Sequence, residues 1–305
     1  MQKIAELLRK AAGTECVTEQ ESMKQHTTFR IGGPADVFVV PDSVEKTAAV
    51  IRICREQGVP FYILGNGSNL LVSDEGYRGV VVQIYKNLSE IKTDGNTVTA
   101  QAGAMLSVIA KRALASSLTG FEFASGIPGT LGGACVMNAG AYGGEMKDVL
   151  EEVTVLDENG QIRRILAKEL ELGYRSSALA KNGWIALEAR LRLEPGDQAL
   201  IRAQMEELKE KRTTKQPLDM PSAGSTFKRP EGYFAGKLIM DAGLQGFAVG
   251  GAQVSEKHCG FVVNTGDATA QDVRSLIAEV VRRVKENSGV TLEPEVKMLG
   301  EFQPV

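Results

Sequence analysis

Between Gly126 and Gly144 the stretch SGIPGTLGGACVMNAGAYGG carries seven glycines, too dense for ordinary helix or strand. Such a stretch brings main chain close to a ligand, because no Cβ intervenes and successive N–H groups can converge on one anion. A second glycine loop, GNGSN (65–69), follows the short strand pattern FYILG (61–65). It is not a Rossmann fingerprint: the third glycine position is Leu70, and LLVSDEGYRGVVV reads as extended chain rather than helix. Taken alone, GNGSN can equally be a plain tight turn. Two such loops in one domain suit a cofactor containing a pyrophosphate, with a glycine-rich connection that holds no ligand as the alternative.

A formal charge of −3 on 305 residues gives no general attraction to nucleic acid or anionic membrane, so phosphate binding requires a local site. No window approaches the roughly 18 apolar residues of a membrane span. The opening MQKIAELLRKAAGTE is a short amphipathic helix pattern without the features of a signal peptide. Cys16, Cys54, Cys135 and Cys259 form no C-x-x-C pair, and the two histidines, His26 and His258, do not suggest zinc. The expectation is a cytoplasmic chain with reduced thiols, no metal and no membrane or nucleic-acid partner. The oligomeric state is left open.

Helical stripes and alternating strands suggest an α+β organisation. Asp42 is a good N-cap for a helix stopped by Gly58, with Val44, Ala48 and Ile51 on one stripe. Residues 79–102 alternate around an Asp94–Gly95 turn, a helix covers about 105–118, and Asn159–Gly160 marks a hairpin before the strand 185–194. Glu194–Pro195–Gly196 is the best domain boundary, after which Asp197 caps a helix to about Lys211. A capping box at Thr269–Asp272 opens a long helix whose stripe runs Val273, Leu276, Ile277, Val280, Val281, Val284. Strands are expected near 247–254, 260–264 and 290–299, the last placing Glu293 and Glu295 on one face.

Several side chains could carry chemistry. SAGSTFKRP (222–230) has no G-x-S-x-G elbow and no nearby histidine, so Ser225 is a poor hydrolase nucleophile. It is either a turn residue or a proton donor to a basic carbanion. Arg175 in YRSS offers a fixed fork of donors for a carboxylate. Lys211, Arg212, Lys215, Lys228, Arg229 and Lys237 form a local cationic excess, which reads as a solvated face or as a diphosphate site.

The chain resembles the UDP-N-acetylenolpyruvoylglucosamine reductases through motifs that occur in family order. They are HTTFRIGGPAD (26–36), LGNGSNLLVSDEGYRGVVV (64–82), GFEFASGIPGTLGGACVMNAGAYGGEM (120–146) and ELGYRSSAL (171–179). KRTTKQP (211–217), SAGSTFKRP (222–230), GKLIMDAGLQGFAVGGAQVS (236–255) and LEPEVKMLGE (292–301) continue the match over nearly the whole chain.

The resemblance implies an N-terminal FAD-binding domain of vanillyl-alcohol-oxidase (PCMH) type over 1–195, in subdomains of about 1–85 and 86–195. A C-terminal α+β domain over 196–305 would bind the UDP-sugar substrate. FAD would be held non-covalently by Gly65, Asn66, Gly67, Ser68 and Asn69, and by Ser125, Gly126, Ile127, Pro128, Gly129, Thr130, Gly132, Gly133, Asn138, Ala139, Gly140 and Ala141. Arg175, Ser225 and Glu295 fall on the family's catalytic positions. Tyr174, Lys215, Arg229 and His258 fall where substrate is contacted, and NADPH would be the hydride donor. SALAKNGWIAL runs straight towards the next strand, so the tyrosine lid loop of longer members is missing. Two other readings remain: an FAD-dependent oxidase of the same fold, and a UDP-sugar-binding protein without chemistry. No histidine lies between His26 and His258, which excludes a histidyl–flavin link in the glycine loops.

Overall fold

The helix Gln198–Lys215, expected to open the second domain, is grouped almost wholly with the first. The computed structural model describes residues 1–304. One compact unit comprises Met1–Thr18, Val37–Asn66 and Val80–Arg212; the other comprises Glu19–Asp36, Gly67–Gly79 and the chain from Thr213. The division therefore differs from a single cut at 194–196. Its cause is packing: Ile201 is 3% exposed and Met205 packs on the first core, so the helix follows its apolar side. Conversely, Phe29, Ile31 and Leu71 belong to the second core although they come early in the chain.

In the first unit a five-stranded antiparallel sheet is ordered 162–166, 150–156, 185–192, 97–101, 91–94. The strand Phe61–Leu64 pairs in parallel with the chain from Val80 to Gln83. The helix Val44–Glu56 buries Thr47, Val50, Ile51 and Cys54. Its N-cap is Ser43, whose hydroxyl accepts from the Lys46 N–H; Asp42 instead pairs with the Lys46 ammonium at 2.8 Å. The glycine-rich stretch also differs from expectation, because Leu131–Met137 is a short helix burying Leu131, Ala134 and Cys135. Gly132 is what allows it: a Cβ there would lie 3.0 Å from the Ala102 Cβ.

In the second unit the helix Ala270–Ser288 buries the predicted stripe except for half-buried Val281. Its capping box is formed, with Thr269 Oγ accepting from Asp272 N and the Asp272 carboxylate accepting from Thr269 N. Asp74 adds a second cap, accepting from the N–H groups of Ala270 and Gln271 at 2.8 and 3.0 Å. A four-stranded sheet ordered 222–225, 261–264, 252–254, 248–249 packs with this helix, and Lys297–Leu299 pairs in parallel with Leu70–Val72. The expected strand 290–299 is thus reduced to Lys297–Leu299. Pro294 has no N–H to continue a ladder, and the segment makes only an isolated bridge to Phe227. Glu293 and Glu295 consequently lie in different surroundings, Glu293 exposed and Glu295 half-buried.

Replacing Thr269 by alanine removes one N-cap acceptor and should cost about 1 kcal/mol. Urea unfolding should show a lower midpoint at unchanged slope; an unchanged midpoint would mean Asp74 alone caps this helix.

Candidate active site

Asn66 joins the two glycine segments of the first unit. Its side-chain amide donates to the Pro128 carbonyl at 2.6 Å, while Gln83 donates to the Gly65 carbonyl at 3.2 Å. A Cβ on Gly65 would lie 2.4 Å from Thr130 Oγ, so only glycine lets the chain settle there. Both segments therefore approach through main chain, the surface that a pyrophosphate needs, and on this geometry the residues fit FAD. The first loop is divided, however. Gly67 leaves it with φ +62°, its carbonyl accepts from Thr28 N, and Gly67, Ser68 and Asn69 are grouped with the second unit.

Several expected FAD contacts are spent inside the protein. The Gly132 N–H donates to the Ala102 carbonyl, Ala139 N to the Ala134 carbonyl, and Ile127 N to the Ala124 carbonyl. Ser125 N is likewise used, donating to the Glu122 carbonyl, while Gly129 offers its carbonyl to Leu106 N. Gly140 and Ala141 form a short hairpin with Gly144 and Glu145.

Asn138 is the largest departure. It is 1% exposed and occupies the left-handed cap of Leu131–Met137, with φ 45°. Its amide donates to Glu145 Oε2 and to the Gly173 carbonyl, and its oxygen accepts from Lys147 N. The side chain is thus committed to positioning the YRSS turn. Ser177 reinforces this, donating to the Val136 carbonyl at 2.6 Å.

In that turn Gly173 and Ser176 exchange both main-chain hydrogen bonds, leaving Tyr174 and Arg175 at the corners. Arg175 has φ +54°, where glycine is preferred, and its guanidinium lies 5.2 Å from the Tyr174 ring centroid. A non-glycine residue held in this region is strained, a feature that clusters at functional sites. The chain then makes one turn of helix, Ala178–Asn182, ended by Gly183 before the strand Ile185–Arg192.

In the second unit Ser225 ends the strand Ser222–Ser225, and its hydroxyl donates a long 3.3 Å hydrogen bond to the Phe227 carbonyl. The next residue, Thr226, is fully buried and binds two segments at once. Its carbonyl accepts from Glu295 N, its N–H donates to the Gly260 carbonyl, and its hydroxyl accepts from Val262 N. Asn69 donates to the Glu295 carbonyl at 3.3 Å. Ser225 and Glu295 are therefore brought onto adjoining segments, 225–228 and 293–295, despite their separation in sequence. Sequence reading missed Thr226; its only signal was a hydroxyl residue next to the candidate serine.

The four substrate candidates are spread over this unit and the YRSS turn. Lys215 is exposed at the end of its helix, and Arg229 lies 4.1 Å from the Phe234 ring centroid. His258 accepts from Gly260 N through Nδ1 and stacks edge-on against Phe261. Burial pushes its pKa below the ordinary 6.5. Burial also pushes the Cys135 thiol up to about 12, so that cysteine is an apolar core residue.

Comparison with known proteins gives a match for each half of the chain. Residues 35–166 match the model of an FAD binding domain, and residues 216–299 match that of the UDP-N-acetylenolpyruvoylglucosamine reductase C-terminal domain. The UDP-N-acetylenolpyruvoylglucosamine reductase of Alkaliphilus oremlandii is 54% identical over 299 residues, covering 98% of each chain. That of Caldanaerobacter subterraneus subsp. tengcongensis is 57% identical, covering 92% of this chain and 93% of the relative. Among solved structures, the reductase from Thermus caldophilus superposes with a TM-score of 0.80 at 37% identity, over 92% of this chain and 98% of that one. Alkyldihydroxyacetonephosphate synthase, at 16% identity and a TM-score of 0.51 over 64% of this chain and 41% of its own, shares the fold alone. Identity of this level over nearly the full length, together with a glycine cradle in one unit and the Ser225–Glu295 segments in the other, makes the chain a member of the UDP-N-acetylenolpyruvoylglucosamine reductase family.

Proposed function

We propose that Arg175, Ser225 and Glu295 carry out the reduction of the enolpyruvyl group of UDP-N-acetylglucosamine enolpyruvate to UDP-N-acetylmuramate. The observation that carries this is the pairing of segment 226–228 with 293–295 around buried Thr226, which holds Ser225 and Glu295 on neighbouring strands of chain. Bound FAD would supply a hydride taken from NADPH, and the main chain around Gly65 and Gly126–Gly133 would hold it.

Hydride addition at the terminal methylene carbon of the enol ether leaves charge on the adjacent carbon and its carboxylate. Arg175 meets that charge with its fork of donors, and the strained turn pre-sets its direction. Glu295 supplies a further hydrogen-bonding group. Ser225 then gives its proton to the charged carbon, which its weakly engaged hydroxyl leaves it able to do. Lys215, Arg229 and His258 bind the diphosphate end, and Tyr174 lies beside the reacting group. The product serves peptidoglycan synthesis, and the reaction takes place in the cytoplasm. No helix among the described residues is long and apolar enough to cross a membrane.

In Ser225→Ala, FAD should stay bound and NADPH should still bleach the flavin band. Its return on adding substrate anaerobically should slow by about 10²–10⁴-fold. Recolouring at the normal rate would remove Ser225 as proton donor. Arg175→Lys should lower turnover about a hundredfold, because a point charge cannot reproduce the fork; steady-state kinetics with unchanged turnover would dismiss that role.

His258 gives a pH test. Its folded pKa lies below the ordinary 6.5, so the unfolded chain binds its proton first. The associated stability is full above 6.5 and declines as the pH falls below it, until the folded group also protonates. A diphosphate beside the ring favours the cation. The NMR titration midpoint of His258, assigned against His26→Gln, should lie below 6.5 in the free protein and rise with UDP. No rise at saturating UDP would place the diphosphate elsewhere.

A further inference from the structure

The helix Gln198–Lys215 ends where the sequence withholds a helical hydrogen bond. An α-helical carbonyl at Thr213 would accept from the N–H of residue 217, which is a proline and has none. Lys257 takes that place: its ammonium donates to the Thr213 carbonyl at 2.7 Å, across 44 residues of chain. A cation there also meets the negative end of the helix dipole. Thr213, Lys215 and Lys257 all belong to the second unit.

Lys257 reaches out from a turn that is itself fixed. The buried Ser255 hydroxyl accepts from the N–H groups of Lys257 and His258 at 3.2 and 3.3 Å. Gln245 donates to the Glu256 carbonyl at 2.6 Å. The His258 ring lies against Gly236 and Gly260, where an added Cβ would stand 3.3 and 2.9 Å from its Cε1. The Lys257–Thr213 hydrogen bond therefore ties the segment that carries His258 to the helix end that carries Lys215. Lys215 is exposed two residues beyond the tie, and among the described residues no acid pairs with it. Lys211, Lys228 and Lys237, by contrast, are paired with Glu207, Glu293 and Asp241. A helix end frays, and a lysine at its tip loses main-chain and side-chain freedom when it grips a ligand. Fixing the main chain beforehand lowers that cost.

We propose that Lys257 is a positioning residue for substrate binding: by holding the last turn of the helix Gln198–Lys215, it fixes the main chain from which Lys215 reaches the diphosphate of the UDP-sugar. This rests on the reading of Lys215 as a diphosphate ligand given above. Lys257 acts through Lys215, so its effect falls on binding of the UDP-sugar and not on the chemical steps, and it disappears when Lys215 is gone.

The test is a double-mutant cycle on the FAD-loaded enzyme, read as KM for the UDP-sugar and kcat. Lys257→Met should raise this KM about threefold to tenfold, the range of one exposed charged hydrogen bond, with kcat kept within about twofold. In the Lys215→Met background the same change should add less than about twofold. Lys257→Arg keeps a charged donor for the carbonyl and should restore most of the affinity. An equal rise in both backgrounds would mean that Lys257 acts independently of Lys215, and overturns the proposal. So would an unchanged KM in Lys257→Met, a rise confined to the KM for NADPH, or an arginine variant as weak as the methionine one. If Lys257→Met does not fold, Lys257→Gln removes the charge and most of the reach, and the same pair of backgrounds is compared. A Lys215→Met enzyme with normal KM would reject the substrate reading of Lys215 itself, a result distinct from missing coupling, and the Lys257 assignment falls with it.

Discussion

Thr226 is the residue on which the chemistry of the second unit depends. Irregular main chain cannot satisfy itself, so each buried N–H and C=O in a loop must find a partner on another segment. Thr226 solves this for two segments, offering a carbonyl to Glu295 on one, and an N–H to Gly260 and a hydroxyl to Val262 on the other. Ser225 and Glu295 inherit their places from it. The position has no exposed surface, so its hydroxyl must be satisfied inside the protein, as it is by Val262 N.

Asn138 does the equivalent work in the first unit. Left-handed backbone at the end of a short helix suits asparagine, whose amide can then reach back to neighbouring main chain. Here it holds the carbonyl of Gly173 and so sets the turn that presents Arg175. The second half of the glycine-rich stretch thus fixes the turn that carries a cation.

Legibility followed the physics of each segment. The helix Ala270–Ser288 was plain in the sequence because a long stripe and a capping box are local patterns. Adjacent cap candidates could not be ranked, and Ser43 rather than Asp42 accepts from the helix N–H. The glycine density from 126 to 144 hid a helical turn at Leu131–Met137, since propensity alone opposes one and burial of Leu131, Ala134 and Cys135 supports it. The alternation in 290–299 suggested a strand, but Pro294 and the bridge to Phe227 leave only Lys297–Leu299 paired.

What the sequence determined by itself was the family, marked by motifs in order, and with it the expectation of glycine segments for a pyrophosphate, an arginine for a carboxylate and a serine without a base. Those depend on residue type and spacing, which are local. Only the tertiary structure decided that Asn138 is a positioning residue and that GNGSN is shared between two units. It also moved the boundary past the helix Gln198–Lys215. Each is a matter of which distant segment satisfies a buried polar group or covers an apolar face, and that is settled by packing across the chain rather than along it.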